Sequence, residues 1–279
     1  MRSKRHGFSP WEPAQRESRP ESTGLRVRQR SRAPDLLSSR RQTMPLPRPV
    51  FILLIAFAIG VAYSPVGAVA QPLTVVHKAP RKPASGKPPL LVLLHGFGAN
   101  EQDLLPIAAR LDPRLAVASL RGPYQIRPGS YSWVNGNAGD ELDNARRMVI
   151  ECIDQVAEST GADRGRVYLA GFSQGAMLTL AIALTEPEKI AGAAVLSGRL
   201  VAAVRDNHAA PERMRGFPIL VTHGTDDQQI PVRSAHDIRQ ALKPMGVAVD
   251  YHEFESGHYI SDLNVGVLDQ WLRRRLATK

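Results

Sequence analysis

Apolar residues in this chain gather into short unbroken runs, with longer amphipathic stretches between them. Residues 90–94 read Leu-Leu-Val-Leu-Leu. A run without polar alternation predicts a strand covered on both faces. Further strands are predicted over 115–119, 166–170, 191–196, 218–222 and 247–254. Helices are expected over 104–111, 140–160, 173–184, 234–242 and 260–276. The longest of these opens on acidic residues and is followed by Gly161, as suits the two ends of a helix. Strand and helix alternate from residue 71 onward, which predicts a mostly parallel sheet with helices on both faces. A Gly- and Pro-rich loop is expected over 121–139. No internal repeat and no second folded domain is read from the pattern.

Upstream the pattern changes. Residues 1–43 are rich in Arg, Ser and Pro and lack apolar periodicity, so a disordered basic leader is expected. An apolar run over 50–63 then follows Met44 and Arg48, and Ala68-Val69-Ala70 comes soon after. The run is shorter than the ~20 residues of a spanning helix. A basic start, a short apolar run and a small-residue site predict a signal peptide over 44–70, cleaved after Ala70. Export to the periplasm or medium follows, with 71–279 as the folded domain and no stable membrane anchor after cleavage. Translation from Met44 would account for the leader. An uncleaved anchor with a cytoplasmic tail is the competing reading.

The formal charge of +10 suggests a nucleic-acid partner until its distribution is read. Residues 1–43 hold eleven Lys or Arg against four Asp or Glu, and Arg48 adds one more cation. The remainder carries only +2. Phosphate binding needs cations clustered on a folded face, so no nucleic-acid partner is expected. Cys152 is the one cysteine, which rules out an internal disulfide. It reads as a small buried hydrophobe.

The chemistry begins at Gly171-Phe172-Ser173-Gln174-Gly175, a G-x-S-x-G sequence between a predicted strand and a predicted helix. That context makes Ser173 the candidate nucleophile, lifted over the sheet edge by a strained turn. Acid and base should follow in the order Ser, acid, His, in loops after late strands. Residues 218–222 run into His223-Gly224-Thr225-Asp226-Asp227, and the last strand runs into Glu255-Ser256-Gly257-His258. His258 alone of eight histidines lies in the loop after the last strand, and is the candidate base. His95 and His223 precede glycines at strand ends and are expected to brace loops by hydrogen bonds. Either Asp226 or Asp227 can supply the acid. An oxyanion hole is expected from the backbone N–H groups of Gln174 and Phe97, the latter in the loop His95-Gly96-Phe97-Gly98-Ala99-Asn100. Because these donors are backbone groups, the Phe97 and Gln174 side chains are expected to matter little. No metal ligands are assigned.

Taken in order, Leu93-Leu-His-Gly-Phe-Gly-Ala-Asn-Glu-Gln-Asp-Leu104, Arg121-Gly-Pro-Tyr124, Gly171-Phe-Ser-Gln-Gly175, His223-Gly-Thr-Asp-Asp227 with Ile230-Pro231, and Ser256-Gly-His258 resemble the phospholipase/carboxylesterase family. The resemblance spans residue 90 to the C-terminus. It implies an α/β-hydrolase fold, hydrolysis of a small-molecule carboxylic ester (thioesters and lysophospholipids in some members) through an acyl-enzyme, and no cofactor. Its H-G-x-x-D-x-x-[IV]-P pattern places the acid at Asp227. Arg199 stands where that family leads one to expect an apolar residue in the acyl pocket, and is assigned to substrate binding. Trp133, in Tyr131-Ser-Trp133, either walls that pocket or packs on the sheet edge. Residues 198–217 leave room for a short helix but not for a large cap domain, so an open site for short- to medium-chain esters is expected.

Overall fold

A computed structural model describes residues 73–83, 85–135, 138–205 and 207–277. The expected leader over 1–43 and signal peptide over 44–70 lie outside the described residues. In chain order the elements are β1 (Val75–Lys78), β2 (Pro89–Leu94), α1 (Leu105–Ala108), β3 (Ala116–Leu120), β4 (Tyr124–Arg127), β5 (Ser130–Ser132) and α2 (Ala138–Thr160). Then come β6 (Asp163–Phe172), α3 (Gln174–Thr185), β7 (Gly192–Leu196), α4 (Ala202–Arg205) and α5 (Pro211–Met214). The fold closes with β8 (Pro218–Gly224), α6 (Arg233–Leu242), β9 (Ala248–Phe254) and α7 (Asp262–Ala277).

Seven strands form one sheet in the order β1-β3-β2-β6-β7-β8-β9. All neighbours are parallel except β1, which runs antiparallel to β3 at the edge. Side chains alternate across a strand, and both faces of this sheet are apolar. Leu90, Val92 and Leu94 of β2 face a core completed by α2, α3 and α6. Leu91 and Leu93 face the other core, with α1 and α7. Each face takes every second residue, which is why β2 reads as an unbroken apolar run. Cys152 on α2 is buried in the first core, and burial pushes its thiol up to about 11. No helix among the described residues is long and apolar enough to cross a membrane.

Two expectations need correction, and one strand was not expected. The short strand β1 carries no apolar run of its own. It is formed by edge pairing with β3, and the sequence reading missed it. The helix expected over 104–111 is a single turn. Beyond Ala108 the chain tightens into bonds from Arg110 N to Ile107 O and from Leu111 N to Ala108 O. The loop expected over 121–139 contains the β4–β5 hairpin, a separate two-stranded sheet.

Candidate active site

The carboxyl ends of the parallel strands carry the site. At the end of β6 the chain turns sharply through Ser173, whose φ of 54° lies in the left-handed region. Such a conformation costs a non-glycine residue about 1–3 kcal/mol and survives only where its surroundings enforce it. Two glycines enforce it here. A Cβ on Gly171 would stand 2.2 Å from Gly175 O, and one on Gly175 would stand 2.1 Å from Leu94 O. Helix α3 therefore lies directly on β2 and β6. The Ser173 N–H donates to Leu196 O at 3.0 Å, and Ser173 O accepts from Met177 N.

The structure brings the three predicted side chains together. His258 Nε2 lies 2.9 Å from Ser173 Oγ, and His258 Nδ1 lies 2.6 Å from Asp227 Oδ2. The Asp227 side chain is wholly buried and that of His258 is 7% exposed. Asp227 Oδ1 accepts N–H bonds from Gln229 at 2.9 Å and Ile230 at 2.8 Å. Burial alone would raise the carboxyl pKa. The bonds from His258, Ile230 and Gln229 outweigh it, and Asp227 is held below its ordinary value. An ionised carboxylate only accepts. The His258 proton therefore sits on Nδ1, which leaves Nε2 to accept from the Ser173 hydroxyl. Asp226 is exposed, and its N–H donates to Ser256 O. Of the two aspartates, Asp227 is the one that meets the histidine.

The loop bearing His258 is docked on the loop bearing Asp227. A Cβ on Gly224 would meet Ser256 O at 2.2 Å and Gly257 O at 2.6 Å. Beyond His258, Asn264 Oδ1 accepts from Ser261 N and Ser261 Oγ, while Asn264 Nδ2 donates to Thr222 Oγ1 at 3.0 Å. The start of α7 is thus capped and tied to β8 by one side chain. The Phe172 ring lies 4.9 Å from the imidazole between centroids.

His95 and His223 brace loops, as their places at strand ends suggest. His95 donates from Nδ1 to Gly96 O at 2.7 Å and accepts the Gly122 N–H on Nε2 at 2.9 Å. Burial depresses its pKa, in keeping with the acceptor role of Nε2 toward Gly122. His223 donates from Nε2 to Ile230 O at 2.7 Å, which steadies the turn carrying Asp227.

Phe97, Gln174 and Ser173 line one cavity of about 530 Å³ together with His258, Trp133 and Arg199. The N–H of Gln174 opens α3 and has no acceptor within the helix. The Gln174 side chain corrects the expectation that it matters little. Its Oε1 accepts the Trp133 N–H at 2.8 Å and lies 3.0 Å from Ser132 Oγ. Phe97 is 65% exposed, so its ring sits at the rim. Trp133 packs in the core and also reaches the cavity. It is fully buried, donates from Nε1 to His95 O at 2.8 Å, and still contributes to the cavity wall.

The hairpin also fixes the loop carrying Phe97. Gly98 N donates to Tyr131 O, Tyr131 N to Ala99 O, and Ser130 Oγ to Gly98 O. Below it, Arg121 forks onto Glu101 through two bonds of 2.6 Å and lies 4.5 Å from the Tyr131 ring centroid. That pairing holds the buried Glu101 carboxyl down at about 2. The motifs containing Glu101 and Arg121 assign neither residue a role. Two opposite charges twenty residues apart give no signal of pairing until the strands are placed.

Comparison with known proteins places this geometry in a family. The phospholipase/carboxylesterase family model matches residues 130–275. Carboxylesterase SOBER1 of Arabidopsis thaliana is 36% identical over 134 residues, 47% of this chain and 58% of that protein. The chain spans about half the length of the first plant relatives it matches. Acyl-protein thioesterase 1 of Kluyveromyces lactis is 30% identical over 206 residues, 67% of this chain and 89% of that protein. The crystal structure of esterase PE8 superposes with a TM-score of 0.64 at 23% identity, over 72% of this chain and 98% of that one. At that identity the likeness supports the fold, and it is the α/β-hydrolase fold. With the family model covering more than half of the sequence, the chain belongs to the phospholipase/carboxylesterase family.

Proposed function

We propose that the protein is a serine carboxylesterase acting on short- to medium-chain acyl esters. One observation carries the reading: the Ser173 hydroxyl, the His258 imidazole and the Asp227 carboxylate form a continuous hydrogen-bonded relay that opens on the cavity. His258 Nε2 takes the proton as Ser173 Oγ attacks the ester carbonyl. The imidazolium, held by Asp227, then protonates the leaving alcohol. Water attacks the resulting acyl-enzyme by the same route, with His258 as base, and frees the acid. The Phe97 and Gln174 N–H groups are the donors assigned to the tetrahedral oxyanion. One such donor contributes ~3–4 kcal/mol to lowering the barrier. Among the described residues, the only helices between β7 and β8 are α4 and α5, four residues each. An uncapped rim supports soluble esters of modest length.

Thioesters are a second reading. It is favoured by the 30% identity to an acyl-protein thioesterase, and the acyl step is the same. Residues 44–70 support export of the enzyme, and an intact mass starting at Gln71 would bear this out.

The test is a p-nitrophenyl ester series of increasing chain length on the purified protein. Ser173→Ala is expected to lower kcat by about 10⁶-fold. Hydrolysis by that variant at the wild-type rate would refute the assignment.

A further inference from the structure

Arg199 lines the same cavity as Ser173 and His258. Among the described residues it is the only permanently charged one in that wall, and no described carboxylate shares the wall with it. Asp227 lies buried behind His258, with both oxygens already engaged. The Arg199 guanidinium has no hydrogen bond, ion pair or ring contact among the described residues. Elsewhere the arginines of this domain are commonly paired, as in Arg114 with Asp112, Arg121 with Glu101 and Arg164 with Asp154.

The base of the side chain is not loose. Arg199 follows Ser197 and Gly198 just past the end of β7, the strand beside β6, which ends one residue before Ser173. Ser197 has a φ of 52°, so two adjacent strand ends each carry a serine in the left-handed region. Gly198 lies so close to α3 that a Cβ there would be 2.8 Å from Ala176 Cβ. The chain is therefore pressed onto the helix behind the nucleophile just before it releases Arg199. Gln229 and Ser234, both uncharged, line the cavity as well.

An unpaired guanidinium in a wall otherwise rich in apolar groups is a docking point for an anion. Its planar fork matches a carboxylate, with two parallel N–H bonds. Resting on the esterase reading of this site, we propose that the preferred substrates are esters carrying a carboxylate, such as half-esters of dicarboxylic acids, with Arg199 binding the free carboxylate. The chemistry balances as ordinary hydrolysis. Ester and water give acid and alcohol, and the bound carboxylate is unchanged.

Two matched substrate pairs test this and show which side of the ester holds the anion. In the acyl arm, mono-p-nitrophenyl glutarate is compared with p-nitrophenyl pentanoate. In the alcohol arm, 4-carboxyphenyl acetate is compared with 4-carbamoylphenyl acetate. The readout is the anionic-to-neutral ratio of kcat/KM in the wild type, in Arg199→Gln and in Arg199→Lys. Arg199→Gln should lower the ratio about tenfold in one arm, the size expected of one charge-assisted pair, and Arg199→Lys should restore part of it. Raising ionic strength from about 0.05 to about 0.5 M should shrink the wild-type ratio and leave that of Arg199→Gln unmoved. Ratios in both arms that agree within about twofold between wild type and Arg199→Gln would overturn the proposal. Neutral esters hydrolysed by the wild type and not by Ser173→Ala would then leave the esterase reading standing. Failure to hydrolyse any of the esters would remove both.

Discussion

Ser173 and His258 meet at 2.9 Å, yet the chain fixes them by different means. The serine is held by the two glycines that flank it, which bring α3 onto its own strand and onto β2, and the left-handed turn follows. The histidine is held at long range. Its loop rests on Gly224, is pinned by Asn264 to Thr222, and receives Asp227 from another strand. A position set by glycines beside it rests on backbone packing in the centre of the sheet and on few side chains. A docked position fails whenever one of its separate supports is lost.

Three substitutions sharpen this contrast. Asp227→Asn should have the largest effect, because it removes the acceptor that fixes the His258 tautomer. A loss of about 10⁴-fold in kcat is expected, with kcat on a p-nitrophenyl ester as the measurement. A fall of less than about tenfold would mean that the histidine is oriented by its loop alone. Next, Gly224→Ala should push the Ser256–Gly257 backbone away and displace the imidazole. A shift near 1 Å costs about 10²-fold, so kcat/KM should fall on that scale while fluorophosphonate labelling of Ser173 slows in parallel. Wild-type activity in this variant would show that the two loops do not depend on their close approach.

The smallest effect falls on stability. Glu101→Gln should cost about 2 kcal/mol near neutral pH by breaking a forked, charge-assisted pair with Arg121. The folded carboxyl is depressed to about 2 from an ordinary value of 4.5. Its contribution is therefore complete above pH 4.5 and is lost as pH falls toward 2. Urea melts of both proteins across that window should converge at the acid end. A constant gap would assign the effect to packing rather than charge.

The same contrast decides what could be read from the sequence. The alternation of apolar runs and helical stretches gave the parallel sheet, because each strand of that kind is covered on both faces. The G-x-S-x-G turn was legible because its requirements are local. His258 was legible by its place after β9, and Asp227 by the family pattern once Asp226 and Asp227 stood side by side. The β4–β5 hairpin was not, since Tyr124 to Ser132 carries few buried apolar side chains and gains its order from bonds to the loop at Gly98 and Ala99. Nor was the Gln174 side chain, whose acceptor role needs Trp133 brought over from another part of the chain. Edge strand β1 was missed for a similar reason, as its pairing with β3 is its main reason to be a strand.

The hairpin described above has one more consequence. It grips the Phe97 loop through Gly98 and Ala99 and the start of α3 through the Gln174 amide. The Phe97 and Gln174 N–H groups proposed to meet the oxyanion therefore hang on one hydrogen-bonded frame, assembled before any substrate arrives. Little reorganisation is left for the reacting complex, because most of the ordering cost was incurred when the chain folded.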